Sequence, residues 1–248
     1  MAKIHNLKQH SLSELRNTCK NCSLAKLCLP RKLSDEDLEH LDEVIQTRKT
    51  LQKNDVLFEQ GQHSRYLYAV RSGTIRTFTT AKNGDEQILS FHLPGELLGL
   101  DGMDNEIHSC SAIALDTTIV CELRVTELHN LCLRIEGLQR QLIRLLSDEI
   151  CKDQNMLLLM ARSNAEQKLA SFFMNLSTRL QQRGQSPNEF ELSMTRCQIA
   201  NYLGITDETV SRIITKFRQQ RLIQADKKSI KILNAKRLQS VADSYYHQ

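Results

Sequence analysis

The chain has 248 residues, of which 40% are hydrophobic and 25% charged, and its net charge is +4. That length suits roughly two domains of about 100–150 residues each, and the balance is that of a folded protein rather than a disordered one. No apolar run approaches the roughly 18–20 residues that span a bilayer, and Met1-Ala-Lys-Ile-His-Asn lacks the apolar centre of a signal peptide, so the cytoplasm is the expected location.

The charge is uneven. Residues 164–248 hold 13 Lys/Arg against 7 Asp/Glu, a net of +6, which leaves −2 for the remainder. A basic C-terminal third beside a nearly neutral body suits a polyanionic partner, though many solvated faces are basic too. The absence of Rossmann and P-loop glycine patterns, a serine elbow and a His-x-x-x-His motif argues against an enzyme.

Residues 1–30 are polar and carry three crowded cysteines, Cys19-x2-Cys22-x5-Cys28. In a reducing compartment the eight cysteines are not expected to be disulfides. Cys110, Cys121, Cys132, Cys151 and Cys197 are dispersed, as small buried hydrophobes are. The crowded three can converge on one soft metal centre. Their spacing matches neither common ferredoxin run, so an iron–sulfur cluster, a structural zinc and incidental thiols all stay open.

Ser34-Asp-Glu-Asp-Leu reads as a helix cap, followed by Leu38, Leu41, Val44 and Ile45 at helical spacing. From about Leu51 to Leu123 the signals change to short strands. Tyr66–Val70, Thr74–Phe78 and Gln87–Phe91 are rich in aromatic and β-branched residues, and Asn83-Gly84 is a hairpin signal. Gly61, Gly73, Gly95, Gly99 and Gly102 mark turns about every ten residues, the rhythm of a small β-barrel or roll.

A helix of roughly 40 Å is expected over residues 136–162. Ile143, Leu146, Ile150, Asp153, Leu157 and Met160 recur at three- and four-residue steps, the seam of a coiled-coil dimer. Asp153 breaks the apolar stripe. Two such carboxylates in a half-buried seam repel by about 1–4 kcal/mol, which poises a dimer near dissociation. The alternative is an Asp153 that pairs with a cation or faces water.

Beyond Asn164 come helices, a loop near Gly184–Asn188, further helices and a basic hairpin near Lys227–Leu233. Within residues 195–218, Ile199, Ala200 and Leu203 form the apolar face of one helix and Gly204 the tight turn after it. Thr206 or Asp207 caps a second helix whose Val210, Ile213, Ile214 and Phe217 face inward. Glu208, Thr209, Ser211, Arg212 and Lys216 are left outward, where a recognition helix meets DNA. Arg bonds guanine bidentately and Glu accepts from a cytosine amino group. Lys216, Arg218, Arg221, Lys227 and Lys228 bring charge for phosphates.

These residues resemble the CRP/FNR family of bacterial transcription regulators, and within it the FNR/Anr oxygen-sensing branch. The resemblance covers essentially the whole chain. It implies an α+β fold: a cysteine-rich cluster-binding segment at 1–30, a β-roll sensor at 31–132, a dimerisation helix at 133–162 and a winged helix-turn-helix at 163–248. The roll would be a double-stranded β-helix of the cyclic-nucleotide-binding type. Glu208, Ser211 and Arg212 match the branch's Glu-x-x-Ser-Arg, which implies an inverted repeat of TTGAT/ATCAA type as target.

The resemblance also implies one [4Fe–4S] cluster per subunit on Cys19, Cys22, Cys28 and Cys121. Cys121 lies in Val120-Cys121-Glu122-Leu123, and Cys110 and Cys132 compete for the fourth place. Oxygen would convert the cluster to a [2Fe–2S] form, leaving a monomer, whereas the loaded protein would be a homodimer. The branch carries an Asp at the place of Asp153, linked to that monomeric state. RNA polymerase is an implied partner, with Ser72 and the turn at Gly84 and Asp85 as contacts; Gln185 departs from the aromatic often found there. No Arg follows Gly95-Glu96 near Ile107–Ala112, so no cyclic nucleotide is expected. The alternative is a CRP-type regulator with a structural zinc or another small-molecule effector.

Overall fold

A computed structural model describes residues 19–31 and 33–243; the rest of the cysteine-bearing segment, residues 1–18, lies outside the described residues. Ser34 starts helix α1 (Asp35–Val44): its hydroxyl accepts from the Asp37 N–H while the Asp37 carboxylate accepts from the Ser34 N–H. The helix stops at Val44. Ile45, which the apolar spacing puts on the helix, instead begins strand β1 (Ile45–Leu51) and pairs with Leu123. Tertiary pairing overrides local period there.

Seven further strands complete the roll: β2 (Val56–Phe58), β3 (Tyr66–Ser72), β4 (Ile75–Thr80), β5 (Glu86–His92), β6 (Leu97–Leu98), β7 (Ser111–Ala114) and β8 (Thr118–Arg124). They form two four-stranded sheets, β1-β8-β3-β6 and β2-β7-β4-β5. Leu51, Phe58, Tyr68, Val70, Ile75, Leu98, Ala112 and Val120 fill the space between them. The Asn83-Gly84 turn joins β4 to β5, which pair antiparallel from Ile75↔His92 to Thr80↔Glu86.

Helix α2 (Val125–Arg134) follows β8, and Ile135 breaks the chain before helix α3 (Glu136–Arg162). Leu128 and Leu131 bury one face of α2, and no side chain caps its start. The 27 residues of α3 include only two buried ones, Leu138 and Gln141, so most of its length is uncovered.

The C-terminal part contains α4 (Ala165–Gln182), β9 (Glu189–Glu191), α5 (Arg196–Leu203), α6 (Asp207–Gln219), β10 (Ile223–Asp226), β11 (Ser229–Ile232) and α7 (Ala235–Asp243). The three strands make one sheet, β10-β11-β9, the wing beside the helices. Their core includes Phe172, Phe173, Ile199, Leu203, Ile213 and Phe217, and it continues without a break into Phe78, Ile88, Phe91 and Leu93 of the roll. Helix α5 also covers the outer edge of β5: Asn201 Oδ1 accepts from the Ile88 N–H at 2.7 Å, and Asn201 Nδ2 donates to the Glu86 carbonyl at 2.7 Å. An edge strand is thereby protected from pairing with another chain.

Candidate functional site

Cys19, Cys22, Cys28 and Cys121 line one small cavity, walled by Leu24, Leu29, Leu41, Ile45, Ala69 and Leu123. The first three arrive on a run of tight turns, with Cys22 N–H donating to the Cys19 carbonyl and Cys28 N–H to that of Leu24. Cys121 comes from β8, where it faces Arg48 of β1 and Ala69 of β3 in register. The donor set is soft: four sulfurs amid apolar walls, which suits iron–sulfur or zinc better than a hard cation. Among the described residues no group of three Cys, His, Asp or Glu stands at metal-ligating separations, so the sulfurs share the cavity without converging on a point.

Burial, then the Asp42 carboxylate and the Cys28 and Cys121 thiols, push Cys19 far above the usual thiol range. Burial likewise pushes Cys28 up to about 12, offset by the Leu29 backbone and reinforced by Cys121 and Cys22. Both shifts favour the protonated thiols. Asp42 of α1 accepts from the Cys19 N–H at 2.7 Å. Nothing in the sequence marks Asp42, which stands 23 positions from its partner.

The second candidate site is the helical pair α5–α6. Thr195 caps α5 by accepting from the Gln198 N–H, and Gly204 ends it in the left-handed region at φ 60°. Thr206, not Asp207, caps α6 by accepting from the Thr209 N–H at 3.2 Å. Val210, Ile213, Ile214 and Phe217 are buried, which turns Glu208 and Arg212 to water. Hydrogen bonding, first of all to its own backbone N–H, lowers the Glu208 carboxyl from its ordinary value.

Thr209 and Ser211 are half-buried on the same face, and the Thr209 hydroxyl accepts from Thr206. Lys216 is paired with Glu166 of α4 at 2.6 Å. Arg196, at the start of α5, approaches the Ser211 hydroxyl at 3.5 Å and so adds a cation to this surface. Only its place at the first turn of α5 marks it in the sequence.

On α3, Ile143, Ile150 and Leu157 are 56, 58 and 69% exposed, a row with a seven-residue step along one face. Leu146 is half-buried. Asp153 is exposed as well, and it borders a cleft between α3 and the C-terminal part together with Glu149, Lys152, Met156, Arg179 and Tyr202. Burial and then Glu149 raise its carboxyl, against the pull of Lys152. Ser72 is half-buried at the end of β3, whereas Gly84 and Asp85 are exposed at the β4–β5 turn. Asp85 accepts there from Asn83 Nδ2 at 2.6 Å.

In the segment after Gly95-Glu96, Asp101 accepts from the Ser109 N–H at 2.7 Å, the Ser109 hydroxyl at 3.0 Å and the Cys110 thiol at 3.6 Å. His108 lies 3.5 Å from the same carboxylate and stacks on Phe58. Cys110 is thus committed inside the roll, away from the other sulfurs, and burial and Asp101 push its thiol up to about 12.

A roll of this kind, a long helix and a winged helix-turn-helix together define a CRP-type DNA-binding transcription regulator. Two family models match: a cyclic nucleotide-binding domain over residues 48–134 and a Crp-like helix-turn-helix domain over residues 167–241. The transcriptional activator protein Anr of Pseudomonas protegens is 49% identical over 90% of this chain and 92% of its own. The fumarate and nitrate reduction regulatory protein of Vibrio cholerae is 45% identical over 90% of each. The structure of FixK2 from Bradyrhizobium japonicum superposes with a TM-score of 0.73 at 26% identity, over 79% of this chain and 96% of that one. The chain belongs to the FNR/Anr branch of the CRP/FNR family.

Proposed function

We propose that this regulator responds to oxygen through a [4Fe–4S] cluster, one per subunit, held by Cys19, Cys22, Cys28 and Cys121. The observation that carries the reading is the single apolar cavity onto which all four thiols open. When bound, the cluster supplies an oxygen-labile centre. The chain supplies the rest: three thiols on a turn-rich loop, a fourth on a strand fixed by two neighbours, and Asp42 holding the Cys19 backbone. A loop with so little secondary structure of its own is free to shift when its sulfurs gain or lose a common partner.

Loading favours a homodimer through the exposed row of Ile143, Ile150 and Leu157 with the half-buried Leu146 beside it, while Asp153 keeps the unloaded chain monomeric. Two-fold pairing sets two copies of α6 about one DNA turn apart, the spacing of an inverted repeat of TTGAT/ATCAA type. Glu208, Thr209, Ser211 and Arg212 read bases, and Lys216 serves phosphate. Ser72, Gly84 and Asp85 meet RNA polymerase, and the bound regulator activates or represses anaerobic genes in the cytoplasm. The Asp101 carboxylate opposes an anion in the roll, which supports an effector other than a cyclic nucleotide.

The test is protein purified without oxygen, assayed for iron, sulfide, zinc, absorbance and sedimentation, then again after air. About four iron and four sulfide per subunit, a brown colour lost in air and a dimer that falls apart with it are expected. Zinc without sulfide would instead mean a CRP-type regulator with a structural metal.

A further inference from the structure

Glu96 sits in the turn between β5 and β6 and takes two guanidinium groups, those of Arg179 on α4 and of Arg183 at its C-cap. Arg179 Nε donates to its Oε1 at 3.0 Å and Nη2 to its Oε2 at 2.6 Å, a two-pronged grip. Arg183 Nη2 donates to Oε1 at 2.6 Å, and its Nε to the Pro94 carbonyl at 2.7 Å. The three side chains are sheltered, at 17, 22 and 5% exposure for Glu96, Arg179 and Arg183. This is the densest polar joint described between the roll and the DNA-binding domain.

The residue before Glu96 touches the cysteine loop. Gly95 has φ 92°, and a Cβ built there would lie 3.0 Å from Leu27 Cβ and 3.8 Å from Leu24 Cβ. Leu24 and Leu27 fall between Cys22 and Cys28. The loop thus rests on one end of a short turn whose other end grips the DNA-binding domain.

We propose that Glu96 is a positioning residue for DNA binding, fastening the DNA-binding domain to the roll, and that the cysteine loop acts on this joint directly through Leu27 and Gly95. The signal it carries rests on the cluster reading above; the joint itself does not. A two-pronged carboxylate–guanidinium contact tolerates little displacement, and only one peptide unit separates the loop's footing from the carboxylate. Coupling of this kind travels through contiguous packed groups that have two arrangements. It gives the loop a route to α6 that bypasses the seam on α3.

Hydrogen exchange of the full chain, read over residues 165–183, tests the joint. Glu96→Gln keeps the shape and removes the charge; Arg179→Lys keeps the charge and removes the fork. Each is expected to speed exchange in α4 about tenfold and to weaken binding to inverted-repeat DNA, with the dimer fraction unchanged by sedimentation. Leu27→Ala is expected to loosen residues 93–97 and 165–183 together, and to add nothing over α4 in the Glu96→Gln background; should it not fold, Leu24→Ala reads the same contact.

The proposal is overturned if Glu96→Gln leaves α4 as in the wild type, or if the Leu27 and Glu96 effects on α4 simply add. Iron and sulfide are assayed on the same samples. Coupling in protein that never holds a cluster sinks the cluster reading and keeps the joint; loaded protein without coupling does the reverse.

Discussion

Lys216 Nζ lies 2.6 Å from Glu166 Oε1, an ion pair that ties the reading helix α6 to the first turn of α4. Both side chains are more than a third exposed, so the pair contributes at most about 1 kcal/mol and yields readily to a phosphate. Lys216→Gln is expected to weaken binding to every DNA sequence alike and to lower the salt slope by about 0.9. Arg212→Ala and Glu208→Ala are expected to cost about 1–3 kcal/mol at one base position each. Competition binding on operator variants separates the two behaviours; uniform losses for Arg212→Ala would make it a phosphate contact.

Substituting the thiols one at a time distinguishes the cavity from its competitors. Cys28→Ser and Cys121→Ser should abolish iron uptake in protein prepared without oxygen. Cys110→Ser should retain it, because that sulfur is engaged by Asp101 inside the roll. Cys132→Ser should retain it too: Cys132 packs against the same hydrophobic cluster but does not line the cavity. Iron content per subunit is the readout, and loss in Cys132→Ser would exchange the fourth ligand.

For Asp153 the relevant number is the dimer fraction. Removing the carboxylate in Asp153→Ala should give a dimer in air, seen by sedimentation velocity, since the flanking Ile150 and Leu157 are already exposed and apolar. A monomeric variant would confine the role of Asp153 to the cleft it shares with Tyr202 and Arg179.

The joint at Glu96 also makes a pH prediction. Burial alone would raise its carboxyl, but Arg179 and then Arg183 outweigh it and hold the group at about 2 against an ordinary 4.5. A depressed carboxyl contributes stability that is fully present above its unfolded value and is lost as pH falls through the folded one. The wild type should therefore lose about 3 kcal/mol between roughly pH 4.5 and 2 that Glu96→Gln does not lose. Denaturant unfolding of both proteins across that range checks it.

What the sequence makes legible is what is local. The cap at Ser34, the Asn83-Gly84 turn, the bounds of the long helix and the inward set of Val210, Ile213, Ile214 and Phe217 all follow from spacing within one element. Apolar spacing misplaces Ile45 because pairing with Leu123 decides its fate, and that partner is 78 positions away. Asp42 against Cys19, Glu96 against Arg179 and Asn201 against Ile88 are 23, 83 and 113 positions apart, and each is an ordinary polar residue until the fold joins it to its partner. Asp153 sits on the stripe by period and is exposed, and the cleft it borders exists only because the C-terminal part packs beside α3. Cys121 needed the family resemblance to stand out among five dispersed cysteines.

Phe91 of β5 meets Phe172 and Tyr202 with ring centroids 6.2 and 5.2 Å away. During synthesis the first half of the chain leaves the ribosome with that aromatic face bare and the β5 edge unpaired. Both stay sticky until the last third emerges to cover them. Each half thus chaperones the other, and a fragment beginning at Asn164 would carry a greasy scar prone to clumping in place of a partner.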